Sequence, residues 1–140
     1  MVPETTLVLL KPDCVAQKHC GEVIGRFEKA GYTIRGLKML RMDEDLLRTH
    51  YWQHVNEPYF PPLADFMRSG PVVAVALSGE NVIAGVRQML GPTDSTKAPK
   101  GTIRGDLGTN NRVNVVHASD SPETAEAEVP RFFKADELVQ

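Results

Sequence analysis

Short apolar runs alternate along the chain with segments of helical period. Residues 5–10 (T-T-L-V-L-L) are continuously apolar and closed by Lys11-Pro12-Asp13, the pattern of a strand covered on both faces. Residues 21–30 set Val23, Ile24 and Phe27 on one helical face, and Gly31 follows as a helix C-terminus favours. Residues 32–41 alternate loosely, with Ile34, Leu37, Met39 and Leu40, and read as a second strand. Asp43 can cap a helix over 44–55. Pro58-Tyr59-Phe60-Pro61-Pro62 is a rigid turn into a short helix through Leu63, Phe66 and Met67, ended by Gly70. Residues 71–77 form the cleanest buried strand, and 81–90 a helix with Val82, Ile83, Val86 and Met89 inward.

Residues 91–111 have no period and are rich in Gly, Thr, Asp, Lys and Asn, with only Ile103 and Leu107 apolar at intervals. A loop of about 20 residues inside a small domain is either disordered or functional. The β-branched Val113, Val115 and Val116 then make a short buried strand that stops at His117. Ser121, Pro122 and Glu123 supply a side-chain cap, a first-turn proline and an acid favoured by the helix dipole. The last helix covers 123–133 with Ala125, Val129, Phe132 and Phe133 packing, and Pro130 is expected to disturb its final turn. The core order β-α-β-β-α-β predicts an α/β (α+β) ferredoxin-like sandwich. That is a four-stranded antiparallel sheet with helices packed on one face, plus extra helices. With 140 residues and neither repeat nor linker, one domain over 1–140 is expected.

A net charge of -2 speaks against bulk attraction to nucleic acid, so any anion site must be local. No apolar run approaches the roughly 20 residues that cross a bilayer, and the N-terminus lacks the features of a signal peptide. A cytoplasmic protein with no membrane or nucleic-acid partner is expected. Cys14 and Cys20 could pair but read as free thiols, and their spacing matches no metal motif.

His117 ends a strand just before a helix begins, where side chains sit on a rigid element yet face a cleft. A lone histidine there is more often a satisfied strand terminus, and Lys11 at the end of the first strand is more often solvated. Together with the loop they suggest more. Neutral imidazole, with an unperturbed pKa of about 6.5, is a good nucleophile near neutrality. A phosphoryl group in transfer needs cations and hydrogen-bond donors rather than a strong base. Lys11, Arg87 and Arg104 would supply the cations, and Thr93 and Asn114 the neutral donors. No P-loop and no dinucleotide fingerprint occurs. His50 and His54 are four apart and could share a metal, but H-Y-W-Q-H lacks the zinc-protease glutamate, so the pair reads as a polar helix face.

N-V-V-H-A-S-D-S at 114–121 closely resembles the active-site signature of nucleoside diphosphate kinases. L-L-K-P-D at 9–13, H-Y at 50–51, S-G-P-V-V-A at 69–74, R-Q-M-L-G-P-T at 87–93, G-T-I-R-G-D at 101–106 and D-E-L-V at 136–139 follow in family order. The resemblance implies a ping-pong kinase that moves the γ-phosphoryl of a nucleoside triphosphate, usually ATP, to His117 and then to a nucleoside diphosphate. It implies that Glu128 and Ser119 orient the imidazole and that Tyr51 lies nearby as a hydrogen-bond partner. Lys11, Arg87, Thr93 and Arg104 would contact the phosphates, Asn114 with Lys11 the ribose hydroxyls, and Tyr59, where the family usually has phenylalanine, the base. Mg²⁺ would arrive on the nucleotide phosphates, with no dedicated protein ligands. A homo-oligomer is implied, and the short tail favours a tetramer over a hexamer. Val113 stands at a usual arginine with Arg112 one position earlier, and Ala118 at a usual glycine. Two other readings remain open: a nucleotide-binding regulatory module without turnover, and a nucleic-acid-binding protein resting on the sheet alone.

Overall fold

A computed structural model describes residues 4–139. In chain order the elements are β1 (Glu4–Leu10), α1 (Pro12–Ala16), α2 (Cys20–Lys29), β2 (Thr33–Leu40), α3 (Glu44–His50), α4 (Phe60–Arg68) and β3 (Val72–Gly79). They continue with α5 (Val82–Leu90), α6 (Ile103–Leu107), β4 (Val116–Ala118) and α7 (Pro122–Phe132). The strands form one antiparallel sheet in the order β2-β3-β1-β4, as expected for a ferredoxin-like sandwich.

Helices cover both faces of this sheet, not one. Alternate residues of β1 and β3 point to opposite sides. Val8, Leu10, Val73, Val75 and Leu77 pack with Val23 and Phe27 of α2 and with Val82, Val86 and Leu90 of α5. Leu7, Leu9, Val72, Ala74 and Ala76 pack with Leu47 of α3, Met67 of α4, and Val129 and Phe132 of α7. The unbroken apolar runs of β1 and β3 require cover on both sides, and the helices beyond the β-α-β-β-α-β core provide it. Gly31 closes α2 at φ 98°, with Tyr32 N–H donating to Phe27 and Gly31 N–H to Glu28 (3.2 and 3.0 Å). No described helix is long and apolar enough to cross a membrane.

Four local expectations change. The helix expected over 44–55 stops at His50, because Tyr51 leaves helical geometry (φ -105°, ψ 32°), and a single 3-10 turn follows at Trp52–His54. The segment 91–111 is not structureless. Asp94 caps a 3-10 turn at Ser95–Lys97, and Thr102 caps α6 by accepting from Gly105 N–H at 3.0 Å. Strand β4 begins at Val116 rather than Val113, so His117 lies inside the strand. Finally, α7 runs through Pro130 to Phe132. The proline ring faces solvent while Val129, Phe132 and Phe133 on the buried side hold the last turn. The missing N–H leaves the Glu126 carbonyl without its helical partner. Pro130→Ala restores that bond and is expected to raise unfolding stability by about 1–3 kcal/mol, read from urea denaturation.

Candidate active site

Strand register decides where His117 points. His117 pairs with Leu9 of β1, and Leu9 faces α3, α4 and α7, so the imidazole emerges on that side. Val116 and Ala118 point the other way into the α2/α5 core. On its own side His117 meets Glu128 of α7, with Nε2 3.2 Å from Oε1. Ser119, two residues on and on the same face, donates to the same oxygen at 2.7 Å. Ser121 fixes the start of α7 by accepting from Thr124 N–H at 3.1 Å. Burial works to raise the Glu128 carboxyl, but the His117 and Ser119 hydrogen bonds with the His117 charge outweigh it and hold it below the ordinary value. The imidazole Nδ1 has no partner among the described residues.

The approach to β4 is a three-residue turn. Val116 N–H donates to Asn114 C=O at 2.8 Å across Val115, whose φ is +66°. A left-handed β-branched residue is an outlier and costs about 1–3 kcal/mol. Both its backbone groups are held by the start of α1: Asp13 Oδ2 accepts from Val115 N–H at 3.0 Å, and Lys11 N–H donates to Val115 C=O at 2.8 Å. The kink swings the chain from the polar loop into register with β1 one residue before His117.

A cavity of about 440 Å³ opens in front of the imidazole. Lys11, Arg104 and Arg112 line it together with Asn114 and Tyr59. Lys11 is buried, donating from Nζ to Arg112 C=O and Asn114 Oδ1 at 2.7 and 2.8 Å, with the ammonium 5.5 Å from the Phe66 ring centre. Burial lowers its pKa to about 8 despite neighbouring Asp13, with Arg104 and Arg112 adding to the fall. Arg104 is buried on the carbonyls of Gly91 (3.0 Å) and Val116 (2.8 Å), and its Nε has no partner. Burial and neighbouring Arg87 lower its pKa to about 10. Three cations with unspent donors and no lining carboxylate make a site for a polyanion. At the outer end Tyr59 hydrogen-bonds His54 Nδ1 at 2.5 Å, and Leu63 lies one helical turn further on.

Seven of the ten residues singled out from sequence meet at His117 or line the cavity: Lys11, Tyr51, Tyr59, Arg104 and Asn114, with Glu128 and Ser119 behind the ring. His117 itself makes the eighth. Arg87 and Thr93 lie outside that lining. Arg87 reaches from α5 to the Ala118 carbonyl at 3.4 Å, and Thr93 spends its carbonyl on Asn114 Nδ2 at 2.9 Å. Tyr51 lies beside Glu128 and is pushed to a higher pKa by burial first and by that carboxylate second, yet it makes no direct hydrogen bond to His117.

The H-Y-W-Q-H pair is not a polar helix face. His50 is 7% exposed, its ring edge-to-face on His117 at 4.7 Å between centres, whereas His54 sits at the cavity mouth. Residue type alone hid this, because a histidine at a helix end looks solvated until its tertiary neighbours are known. Asn110, Asn111, Arg112 and Asp13 were missed as well; Arg112 left a trace as a displaced arginine. His50, His117 and Glu128 carry ligand atoms within 4.8 Å of one another. Arg131 donates to His50 Nδ1 at 3.2 Å, which puts the ring proton on Nε2 and a positive charge beside any incoming cation.

A protein-family model described as nucleoside diphosphate kinase matches residues 4–138. The chain is 49% identical to the nucleoside diphosphate kinase of Staphylothermus marinus over 139 residues, 99% of each chain. It is 51% identical to that of Streptomyces avermitilis over 131 residues, 93% of this chain and 96% of the other. Among solved structures it is similar to the Aquifex aeolicus nucleoside diphosphate kinase, with TM-score 0.93, 40% identity, and 98% and 99% of the two chains covered. It is likewise similar to the Halobacterium salinarum enzyme in complex with CDP, with TM-score 0.96, 40% identity, and 99% and 92% covered.

The lowered Lys11 pKa has a thermodynamic consequence. Between about pH 8 and the ordinary lysine value the unfolded chain binds more protons at this residue than the folded one, so Lys11 makes stability rise with pH across that window. Denaturation midpoints measured from pH 7.5 to 10.5 are expected to show this rise, and Lys11→Met to lack it.

Proposed function

The chain belongs to the nucleoside diphosphate kinase family, and from that membership and the geometry of the cleft we propose that His117 carries the phosphoryl group between nucleotides. The enzyme transfers the terminal phosphoryl group of a nucleoside triphosphate to a nucleoside diphosphate. The observation that supports this role for His117 is the engagement of its Nε2 by Glu128 at 3.2 Å in a residue that lines the cavity, with Nδ1 unpartnered among the described residues.

In the first half-reaction the Nδ1 lone pair attacks the γ-phosphorus. The P–N bond forms as the bond to the bridging oxygen breaks, and the nucleoside diphosphate leaves with that electron pair. The Nε2 proton stays on the ring, hydrogen-bonded to Glu128, whose carboxylate offsets the positive charge the imidazole gains. Ser119 donates to the same Glu128 oxygen and keeps it from swinging away. In the second half-reaction a terminal oxygen of an incoming nucleoside diphosphate attacks phosphorus, and the P–N electrons return to Nδ1.

Lys11 and Arg104 neutralise the transferring group, and Arg87 and Thr93, outside the lining but against Ala118 and Asn114, add donors to the phosphates. Asn114, held against Lys11, and Lys11 itself take the ribose hydroxyls. Tyr59 offers its ring to the base; stacking is base-tolerant because every base has a π-face. Tyr51 borders the phosphoryl position beside Glu128. The cavity lining holds amides and cations but no carboxylate, which fits a Mg²⁺ that would be carried by the nucleotide phosphates and would supply charge neutralisation there, with no protein residue needed to hold it. The outer edge of β2 pairs with no further strand among the described residues and exposes Leu37 and Met39, which supports self-association. A tetramer in the cytoplasm is the assembly and location we favour.

Mixing the protein with γ-labelled ATP is expected to leave acid-labile, base-stable label on His117, discharged by any added nucleoside diphosphate. Label that stays on the protein in the presence of acceptor would leave only a regulatory nucleotide-binding role. His117→Ala is expected to fold and to lose transfer. For Glu128→Gln, loss of a charge-assisted hydrogen bond predicts a roughly 10- to 100-fold lower kcat with a smaller change in KM, read from steady-state kinetics.

A further inference from the structure

Against the His117 ring, and outside the lining of the nucleotide cavity, lies a second imidazole that the transfer chemistry does not use. His50 closes α3 and is 93% buried by its 7% exposure. Its ring stands edge-to-face on His117 (4.7 Å between centres, 83°) and on Phe132 (5.2 Å, 84°), and it adjoins Tyr51 (4.8 Å, 75°). Arg131 Nη1 donates to its Nδ1 at 3.2 Å. A guanidinium can only donate, so Nδ1 must present a lone pair and the ring proton sits on Nε2. That Nε2 is buried and without a partner among the described residues. A buried donor left unpaired is costly, which makes its retention beside the nucleophile a feature to be explained.

We propose that His50 is a positioning residue for His117, held by Arg131 as a neutral Nε2–H tautomer whose ring fixes the plane of the nucleophile. The inference rests on the reading of His117 as phospho-carrier. Glu128 grips His117 through one nitrogen, and a single hydrogen bond leaves the ring free to pivot about it. The His50 ring, edge-to-face on His117, closes off that pivot.

Neutrality of His50 is essential to this role. The groups that face it are Arg131 and Glu128 from α7, His117 from β4 and Tyr51 from the end of its own helix. A charged His50 would stand within 4.8 Å of the Glu128 carboxylate and compete with His117 for it. It would also repel the positive charge that His117 gains on phosphorylation. Burial first, then the His117 and Arg131 charges, drive its pKa down to about 3 against the pull of Glu128. Arg131 lies one helical turn beyond Glu128, so one element sets both the partner of His117 and the charge state of His50.

The test is a pH–rate profile from pH 5 to 9 with a parallel label assay. Arg131→Met keeps the length and removes the donor. Burial, the larger cause of the depressed His50 pKa, stays in place, so the ring remains neutral and loses only the donor that fixes its tautomer; kcat is expected to fall about fivefold across the profile with little change in KM. Arg131→Gln, whose amide can donate to Nδ1, should recover most of the loss. Adding Arg131→Met to His50→Phe should cost nothing beyond the loss from His50→Phe alone. An Arg131→Met enzyme with the parent's kcat would overturn the proposal, as would losses from Arg131→Met and His50→Phe that simply multiply in the double variant. Imidazole ¹⁵N NMR of the unmodified enzyme tests it without any variant: neutral His50 protonated on Nε2 down to pH 5 supports it, and protonation on Nδ1 or titration above pH 5 sinks it. Label on His117 in the parent enzyme separates the two readings. Its absence would remove the phospho-carrier, whereas labelled His117 with an unaltered Arg131→Met profile would remove His50 alone.

Discussion

One backbone distortion sets the position of the whole site. Val115 sits at φ +66° between the polar loop and β4, with its N–H on Asp13 and its C=O on Lys11. Neither clamp comes from β4 itself. Both come from the first turn after β1, the strand against which β4 pairs. The cost of about 1–3 kcal/mol for a left-handed valine is borne because the side chain is fully buried and both backbone groups are satisfied. The end of β1 and the start of α1 thus pin the nucleophile's strand through Lys11 and Asp13 and put the Lys11 ammonium into the cavity beside it.

Around this fixed point the charges divide by face. In front of His117 are Lys11, Arg104 and Arg112, a local positive field in a chain of net charge -2. Behind it are Glu128 and the neutral His50, with Arg131 beyond. An imidazole between a cationic front and a carboxylate back receives an anionic phosphoryl group on one nitrogen while its positive charge is offset at the other. Burial sharpens both sides: it holds Lys11 and Arg104 by carbonyls rather than counter-ions, which leaves their charge for a ligand.

Much of this could be read from residues alone, for identifiable reasons. The cores of β1 and β3 are unbroken apolar runs, Gly31 and Ser121 mark helix ends through well-understood hydrogen bonds, and the octet around His117 carries its own signature. The cover on the second sheet face was implicit in those runs but required knowing which helices would provide it. The Val115 turn had no local signal, since a β-branched residue is the last to be expected at positive φ. His50 was hidden because helical spacing reports the face of a segment and not what a neighbouring strand brings against it. The five residues of α6 escaped because a helix that short has too few positions to show a period, and depends on Thr102 as cap and Ile103 as anchor.

The central claim is that Glu128 occupies one nitrogen of His117 so that the other reacts. Phosphorus–nitrogen coupling in NMR spectra of ¹⁵N-labelled protein equilibrated with a nucleoside triphosphate identifies the bonded atom directly. Phosphorus bonded to Nδ1 of His117 is the expected result; phosphorus on Nε2, or on any other residue, would contradict it.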